Sequence, residues 1–129
     1  MRSDAPSERR ARVIVVEDNF PIADGLKYLL ESADYDVVGM AGNVEDARRL
    51  VATVAFDLAL LDIDLRGDSV APVAEDVLAR AKPLIFLSGY GETEMLPDPL
   101  HARPRLEKPA DPETLLAAIA QALTAMPAR

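Results

Sequence analysis

The stretch Leu58-Ala59-Leu60-Leu61-Asp62-Ile63-Asp64-Leu65, "LALLDIDL", is an apolar run that ends in a carboxylate. A continuous apolar run, rather than an alternating one, is typical of a strand covered by helices on both faces of a parallel sheet. Asp62 then stands where the predicted strand ends, at the edge of that sheet. The run therefore indicates both the fold class and the place where a functional site should be sought.

Similar apolar runs alternate about five times with segments of helical period, which is typical of an α/β fold. The predicted strands cover 12–16, 35–41, 57–61, 83–87 and 105–107. The predicted helix starts are marked by Pro21, Asn43, Ser69 and Asp111-Pro112. Ile22 and three leucines, Leu26, Leu29 and Leu30, share the apolar face predicted for the first helix.

Proline interrupts the chain between the fourth and fifth strands, at Pro97, Pro99 and Pro104, and leaves room only for a short helix near 92–96. We therefore predict an α/β, flavodoxin-like (βα)5 fold. Its sheet is doubly wound, parallel and five-stranded in the order 2-1-3-4-5, with a short or irregular fourth helix.

Composition limits the possible functions. The chain has 129 residues, half of them apolar, which suits one domain over 11–129 after a flexible polar tail at 1–10. The net charge of −8 argues against nucleic-acid or anionic membrane partners. Cysteine is absent, and no signal peptide or membrane span is evident, so we expect a cytoplasmic protein without a separate output domain.

Polar residues follow four of the predicted strands: Glu17-Asp18, Asp62, Ser88 and Lys108. Any one of these acids alone could be a turn or capping residue. Together they converge on one edge of a parallel sheet, where three carboxylates repel one another unless a cation neutralises them. Oxygen ligands without His or Cys favour Mg²⁺.

Asp62, held beside Mg²⁺ and an amine, can attack a phosphodonor and form an aspartyl phosphate. In this interpretation Ser88 and Lys108 serve the other oxygens of the phosphoryl group. The resulting acyl phosphate hydrolyses with time, so the site resets.

The order of these residues resembles the receiver domain of bacterial two-component response regulators, from Arg12 to about Met126. The resemblance implies that Asp62 accepts phosphoryl from phosphohistidine. It also implies that Asp18, Asp62 and the backbone carbonyl of Asp64 bind Mg²⁺.

The remaining site roles follow from the same resemblance. Glu17 would help to bind Mg²⁺ through a water molecule. Ser88 would turn toward the phosphoryl oxygen and Lys108 would pair with the phosphoryl group. The bond between Lys108 and Pro109 would be a cis peptide.

The segments "DIDLRGDSVAPVAEDVL" and "PLIFLSGYGE" further resemble stand-alone receivers with a Phe-Ala-Thr-Gly-Tyr-like motif, some of which act in general stress signalling. Many receivers carry a switch aromatic three residues before the lysine, where this chain has Arg105. We therefore hypothesise that Tyr90 supplies the moving aromatic side chain.

We predict a phosphoacceptor signalling domain, not an enzyme beyond its own phosphorylation and dephosphorylation. Its partners would be a histidine kinase or histidine phosphotransferase and a downstream protein effector. A phosphate sink for a shared kinase and an unphosphorylated binding module are the alternatives within signalling. "LLDIDLRG" also resembles the Asp-x-Asp motif of haloacid-dehalogenase-type phosphatases, but there the acid pair follows the lysine, whereas Glu17-Asp18 precedes Asp62.

Overall fold

The structure is a computed structural model that describes residues 10–89 and 91–125. Within them the chain forms β1 (Arg12–Val16), α1 (Phe20–Ser32), β2 (Asp36–Ala41), α2 (Val44–Thr53), β3 (Leu58–Asp62), β4 (Asp64–Leu65), β5 (Asp68–Ser69), α3 (Ala71–Ala79), β6 (Leu84–Ser88), β7 (Arg105–Glu107) and α4 (Pro112–Ala125). Two 3₁₀ helices, Glu92–Met95 and Asp98–Ala102, lie between β6 and β7.

The main sheet has five parallel strands in the order β2-β1-β3-β6-β7. This is the predicted order 2-1-3-4-5 once the small β4–β5 hairpin is set aside, so the doubly wound fold is confirmed. The order reverses between β1 and β3, which are neighbours. Their carboxyl ends therefore flank the crevice in which ligands of such sheets bind.

Helices cover both faces of the sheet and divide the core in two. One cluster includes Ile14, Leu61 and Phe86, and packs with α2 and α3. The other includes Val15, Leu60, Ile85, Leu30 of α1 and Ile119 of α4. β3 and β6 are buried along their whole length, so the polar side chains at their ends are held on rigid strands.

The helix starts follow the sequence prediction except at α3, and one residue of the predicted apolar face of α1 is not buried. Asn43 caps α2 by accepting from the amide of Asp46, as predicted. α3 begins one residue later than a cap at Ser69 requires, although the Ser69 hydroxyl accepts from the Ala71 amide. Ile22 was predicted on the buried face of α1, but it is 42% exposed and belongs to neither core cluster.

The predicted short helix near 92–96 is a 3₁₀ helix, and a second one follows it across the prolines. The Nε2 atom of His101 lies 2.8 Å from the carbonyl oxygen of Leu96 within this segment. The β4–β5 hairpin was not predicted. Residues 1–9, which make up most of the predicted tail, lie outside the described residues, while Arg10 lies 3.8 Å from both Asp34 and Asp36.

None of the helices in the described part of the chain combines the length and apolarity needed to cross a bilayer.

Arg12 and Asp57 tie the start of β1 to the residue that precedes β3. The Asp57 carboxylate accepts from the Arg12 amide at 2.7 Å and from its guanidinium at 3.2 and 3.3 Å. Burial raises the pKa of Asp57, but the hydrogen bonds and charge of Arg12 outweigh it and leave that pKa below its usual value. The ionised carboxylate therefore stabilises the fold.

Asp57→Asn is expected to lower the free energy of unfolding by about 1 kcal/mol at pH 7, because the amide keeps an acceptor but loses the charge. A lowered pKa means that this contribution is present above the pKa of the unfolded carboxyl, about 3.9, and is lost as the pH falls through the folded value. Urea unfolding of both proteins from pH 7 to pH 3 measures the difference. Asp34→Asn, at an exposed carboxylate, is the control, and a gap that stays constant with pH would contradict this account.

Candidate functional site

The site lies at the carboxyl edge of the parallel sheet. β1 leads directly into Glu17 and Asp18, β3 ends at Asp62, and β6 ends at Ser88. Lys108 follows β7, and its amide donates to the Ser88 carbonyl at 2.8 Å. The strand registers place Val16 beside Leu61 and Asp62 beside Leu87. The ends of these strands therefore lie together at one edge of the sheet, as the sequence predicted.

Three carboxylates cluster there. Glu17, Asp18 and Asp62 each offer an oxygen, and these oxygens all lie within 4.8 Å of one another. Glu17 and Asp62 are buried, whereas Asp18 is half-buried. The second oxygen of Glu17 accepts from the Asn19 amide at 3.1 Å, which fixes its carboxylate at the start of α1.

Lys108 is the cation that contacts the two buried carboxylates, Glu17 and Asp62. Its Nζ lies 2.9 Å from Oδ1 of Asp62 and 3.4 Å from Oε1 of Glu17. Neither of these buried oxygens receives a well-directed hydrogen bond, however. The ammonium therefore supplies charge more than directional bonding, and the inner oxygens keep unused acceptor capacity.

Burial raises the pKa of Asp62 to about 7; Lys108 opposes this shift and the neighbouring Glu17 reinforces it. For Lys108, burial alone would lower the pKa, but Asp62 and Glu17 outweigh it, and the pKa is raised. Lys108 therefore remains an ammonium at neutral pH. One ammonium facing several carboxylates leaves the site short of positive charge.

The donor set fits a hard divalent cation. It consists of carboxylate oxygens with no sulfur or imidazole, which suits Mg²⁺. The two buried oxygens without hydrogen bonds, on Glu17 and Asp62, are the atoms that a cation would satisfy. Asp18 would complete the set from the solvent side.

The other predicted site residues are placed as follows. Ser88 is buried at the end of β6, next to the strand that carries Asp62. The Asp64 side chain accepts from the Gly67 amide in the β4–β5 turn and does not belong to the acid cluster. The peptide bond between Lys108 and Pro109 is cis. Tyr90 lies outside the described residues, so its role as a moving aromatic stays a hypothesis, while Arg105 is exposed.

Two features of the site were not predicted from the sequence. Arg66, in the β4–β5 turn, places its Nε 3.7 Å from Oδ2 of Asp18. An apolar groove of about 460 Å³ also opens beside Lys108, lined mainly by α1 and the segment after β7. The sequence signal for the groove was Ile22, an apolar residue of α1 that the helical period placed on the buried face.

A doubly wound parallel sheet with acids gathered at its switch point defines the class of flavodoxin-like receiver domains. The sequence model of the response regulator receiver domain matches residues 13–120. This match spans most of the chain, and the protein therefore belongs to the response regulator receiver family.

Solved structures agree in fold. The solution structure of SdrG from Sphingomonas melonis Fr1 is 33% identical with a TM-score of 0.78, and the match covers 88% of this chain and 97% of SdrG. The receiver domain of PhyR from Erythrobacter litoralis is 29% identical with a TM-score of 0.80, and the match covers 93% and 95% of the two chains.

Curated relatives are longer. The sensory transduction protein LytT of Bacillus cereus is 30% identical over 108 residues, which are 81% of this chain and 44% of LytT. The transcriptional regulatory protein PdtaR of Mycobacterium tuberculosis is 26% identical over 95 residues, which are 73% of this chain and 46% of PdtaR. The chain thus spans less than half the length of these two relatives.

Proposed function

We propose that this receiver domain accepts a phosphoryl group on Asp62 from a phosphohistidine and signals through protein contacts that depend on this modification. The observation that carries the proposal is the position of the Asp62 carboxylate. It is held at a rigid strand end, 2.9 Å from the Lys108 ammonium and in one cluster with Glu17 and Asp18.

In the proposed reaction an oxygen of Asp62 attacks the phosphorus as the bond to the histidine nitrogen breaks, and the imidazole leaves with that electron pair. Lys108 balances the charge on the phosphoryl oxygens, and the Ser88 hydroxyl donates to one of them. Glu17, Asp18 and Asp62, with the Asp64 carbonyl, would hold Mg²⁺. When bound, the ion neutralises phosphoryl charge and orients the donor.

The phosphohistidine donor is proposed to be a histidine kinase or histidine phosphotransferase. The groove beside Lys108 supports a protein donor, because Ile22 exposes apolar surface in its lining and Phe20, two residues earlier in α1, is exposed as well. Transfer of a labelled phosphoryl group from purified phosphohistidine proteins to this domain would identify the donor.

We propose that the phosphorylated domain signals by binding a protein effector. We also propose that the protein acts in the cytoplasm. The crystal structure of the anti-anti-sigma factor PhyR from Bartonella quintana, a variant with two substitutions, is 26% identical, and the match covers 89% of this chain and 49% of that one. This likeness to an anti-anti-sigma factor supports a protein partner for the output. A role in stress signalling is part of the proposal and follows from the resemblance to stand-alone receivers. Pull-down with and without a beryllofluoride phosphoryl mimic separates an effector-binding regulator from a phosphate sink, which needs no state-specific partner.

The proposed function predicts a Mg²⁺-dependent gain of one phosphoryl group. Intact mass is measured after incubation with acetyl phosphate, with Mg²⁺ or with EDTA. We expect a gain only with Mg²⁺, because without it phosphoryl charge meets an acid cluster that is already short of cations. Phosphate release from a generic phosphomonoester would instead favour the alternative of a haloacid-dehalogenase-type phosphatase. A mass that stays unchanged with both acetyl phosphate and a phosphohistidine protein would favour the binding module.

A further inference from the structure

The acid cluster is shared between two cations. Lys108 lies against the buried oxygens of Glu17 and Asp62. Asp18 is instead accompanied by Arg66, whose Nε lies 3.7 Å from its carboxylate and whose Nη2 donates to its backbone carbonyl at 3.3 Å. The proposed phosphoryl chemistry gives Arg66 no role.

The backbone of the β4–β5 hairpin delivers Arg66 to this place. Arg66 and Gly67 form the two-residue loop of the hairpin with φ of 57° and 93°, as a type I′ turn requires. The Asp64 carboxylate accepts from the Gly67 amide and Leu65 is buried, so the turn is anchored to the rest of the fold. A non-glycine residue at positive φ is uncommon, and here it aims a guanidinium at a carboxylate of the site.

The Arg66–Asp18 contact is suited to exchange. The Arg66 side chain is 76% exposed and that of Asp18 is 21% exposed. At 3.7 Å the carboxylate contact is an ion pair without a short hydrogen bond, and such exposed pairs contribute little to stability. Mg²⁺ needs an oxygen at about 2.0–2.1 Å and carries twice the charge, so a divalent cation bound to Asp18 repels the guanidinium that lies beside the same carboxylate.

We propose that Arg66 is a displaceable counter-ion of the metal site. It pairs with Asp18 while the protein is metal-free and leaves the carboxylate when a divalent cation binds. Arg66 thus acts on the metal site through Asp18: it competes with the divalent cation for this carboxylate and so lowers the metal affinity. This inference rests on the proposed function, since it takes the acid cluster to be the Mg²⁺ site.

The test is a Mg²⁺ titration by calorimetry on wild type, Arg66→Ala and Arg66→Lys. Arg49→Ala is the matched control, because it changes net charge equally but removes an exposed arginine of α2 that pairs with Glu45 and Asp46. Arg66→Ala is expected to bind Mg²⁺ about two- to fivefold more tightly than Arg49→Ala, the range that exposed ion pairs support. Arg66→Lys should fall between Arg66→Ala and wild type, because it keeps the charge but loses the fork that reaches the carbonyl.

A direct readout accompanies the affinities. In wild type the Arg66 Nε–H resonance should shift as Mg²⁺ is added and should follow the same saturation curve. If Arg66→Ala binds Mg²⁺ as Arg49→Ala does, or more weakly, Arg66 is not displaced and the inference is wrong while the metal site stands. If wild type binds no Mg²⁺ at millimolar concentration, the inference and the metal part of the proposed function both fail.

Discussion

Asp62→Asn is expected to abolish phosphoryl uptake completely, from acetyl phosphate and from a phosphohistidine protein alike. The amide oxygen is a poor nucleophile at phosphorus. Glu17 is also buried beside Lys108, but it lies farther from the ammonium, at 3.4 Å against 2.9 Å, and its second oxygen is held by the Asn19 amide. Intact mass after incubation with either donor in the presence of Mg²⁺ measures the loss. The variant should fold, because the substitution removes a carboxylate whose ionised form is disfavoured by burial, as its raised pKa indicates.

Asp64→Asn is the matched control for this experiment. Asp64 is two residues away, yet its carboxylate accepts from the Gly67 amide and lies outside the acid cluster. An asparagine can keep that hydrogen bond, and the substitution leaves in place the backbone carbonyl of residue 64 that would bind Mg²⁺, so uptake should persist. If Asp62→Asn still gains a phosphoryl group, Glu17 or Asp18 is the acceptor instead. Peptide mapping of the phosphorylated protein would show which of them carries the group.

The main sheet could be predicted because its strands are strongly patterned. The continuous apolar runs of β3 and β6 leave little alternative to burial between two helical layers, and the acid or hydroxyl at the end of each run marks the functional edge. β3 and β6 both begin and end one residue later than predicted, so Asp62 and Ser88 are the last residues of their strands. That shift leaves the site unchanged, because both side chains still leave the sheet at the same edge.

The β4–β5 hairpin could not be predicted, because strands of two residues carry no periodic signal. Its turn begins with Arg66 at positive φ, where Asn, Asp or Gly is the usual signal. The contact between Arg66 and Asp18 spans 48 residues and depends on that turn. A local reading of the sequence therefore finds the acids of the cluster but misses the cation beside them.

The segment between β6 and β7 was predicted only in outline. Its prolines exclude a regular helix, as expected, but the chain then forms two 3₁₀ helices instead of one short helix and a loop. The Ser69 hydroxyl donates to the Met95 carbonyl at 2.9 Å and joins this segment to the hairpin. Such a contact between distant segments is not encoded in any local pattern.

Lys108→Met is expected to slow phosphoryl uptake by about 100-fold at saturating Mg²⁺, while leaving Asp62 as the acceptor. Methionine keeps the apolar stem but removes the charge that opposes the phosphoryl oxygens, and the loss of one such group typically costs this much in rate. The initial rate of mass gain with acetyl phosphate measures the effect. Lys82→Met is the control, because Lys82 lies at the opposite end of the sheet, just before β6, where its charge lowers the pKa of Asp57.

Lys108→Met also tests whether the Lys108 charge stabilises the folded protein, apart from its effect on the rate of phosphoryl uptake. Without the ammonium, Glu17 and Asp62 are left as buried carboxylates with no cation, and breaking a buried pair in this way is strongly destabilising. Mg²⁺ should restore stability, since a ligand that binds only the folded state stabilises it by mass action. Thermal unfolding with and without Mg²⁺ should therefore show a larger metal-induced rise in Tm for Lys108→Met than for wild type. An equal rise together with an unchanged rate of uptake would make Lys108 an ordinary surface lysine, and the phosphoryl charge would then have to be balanced by the metal alone.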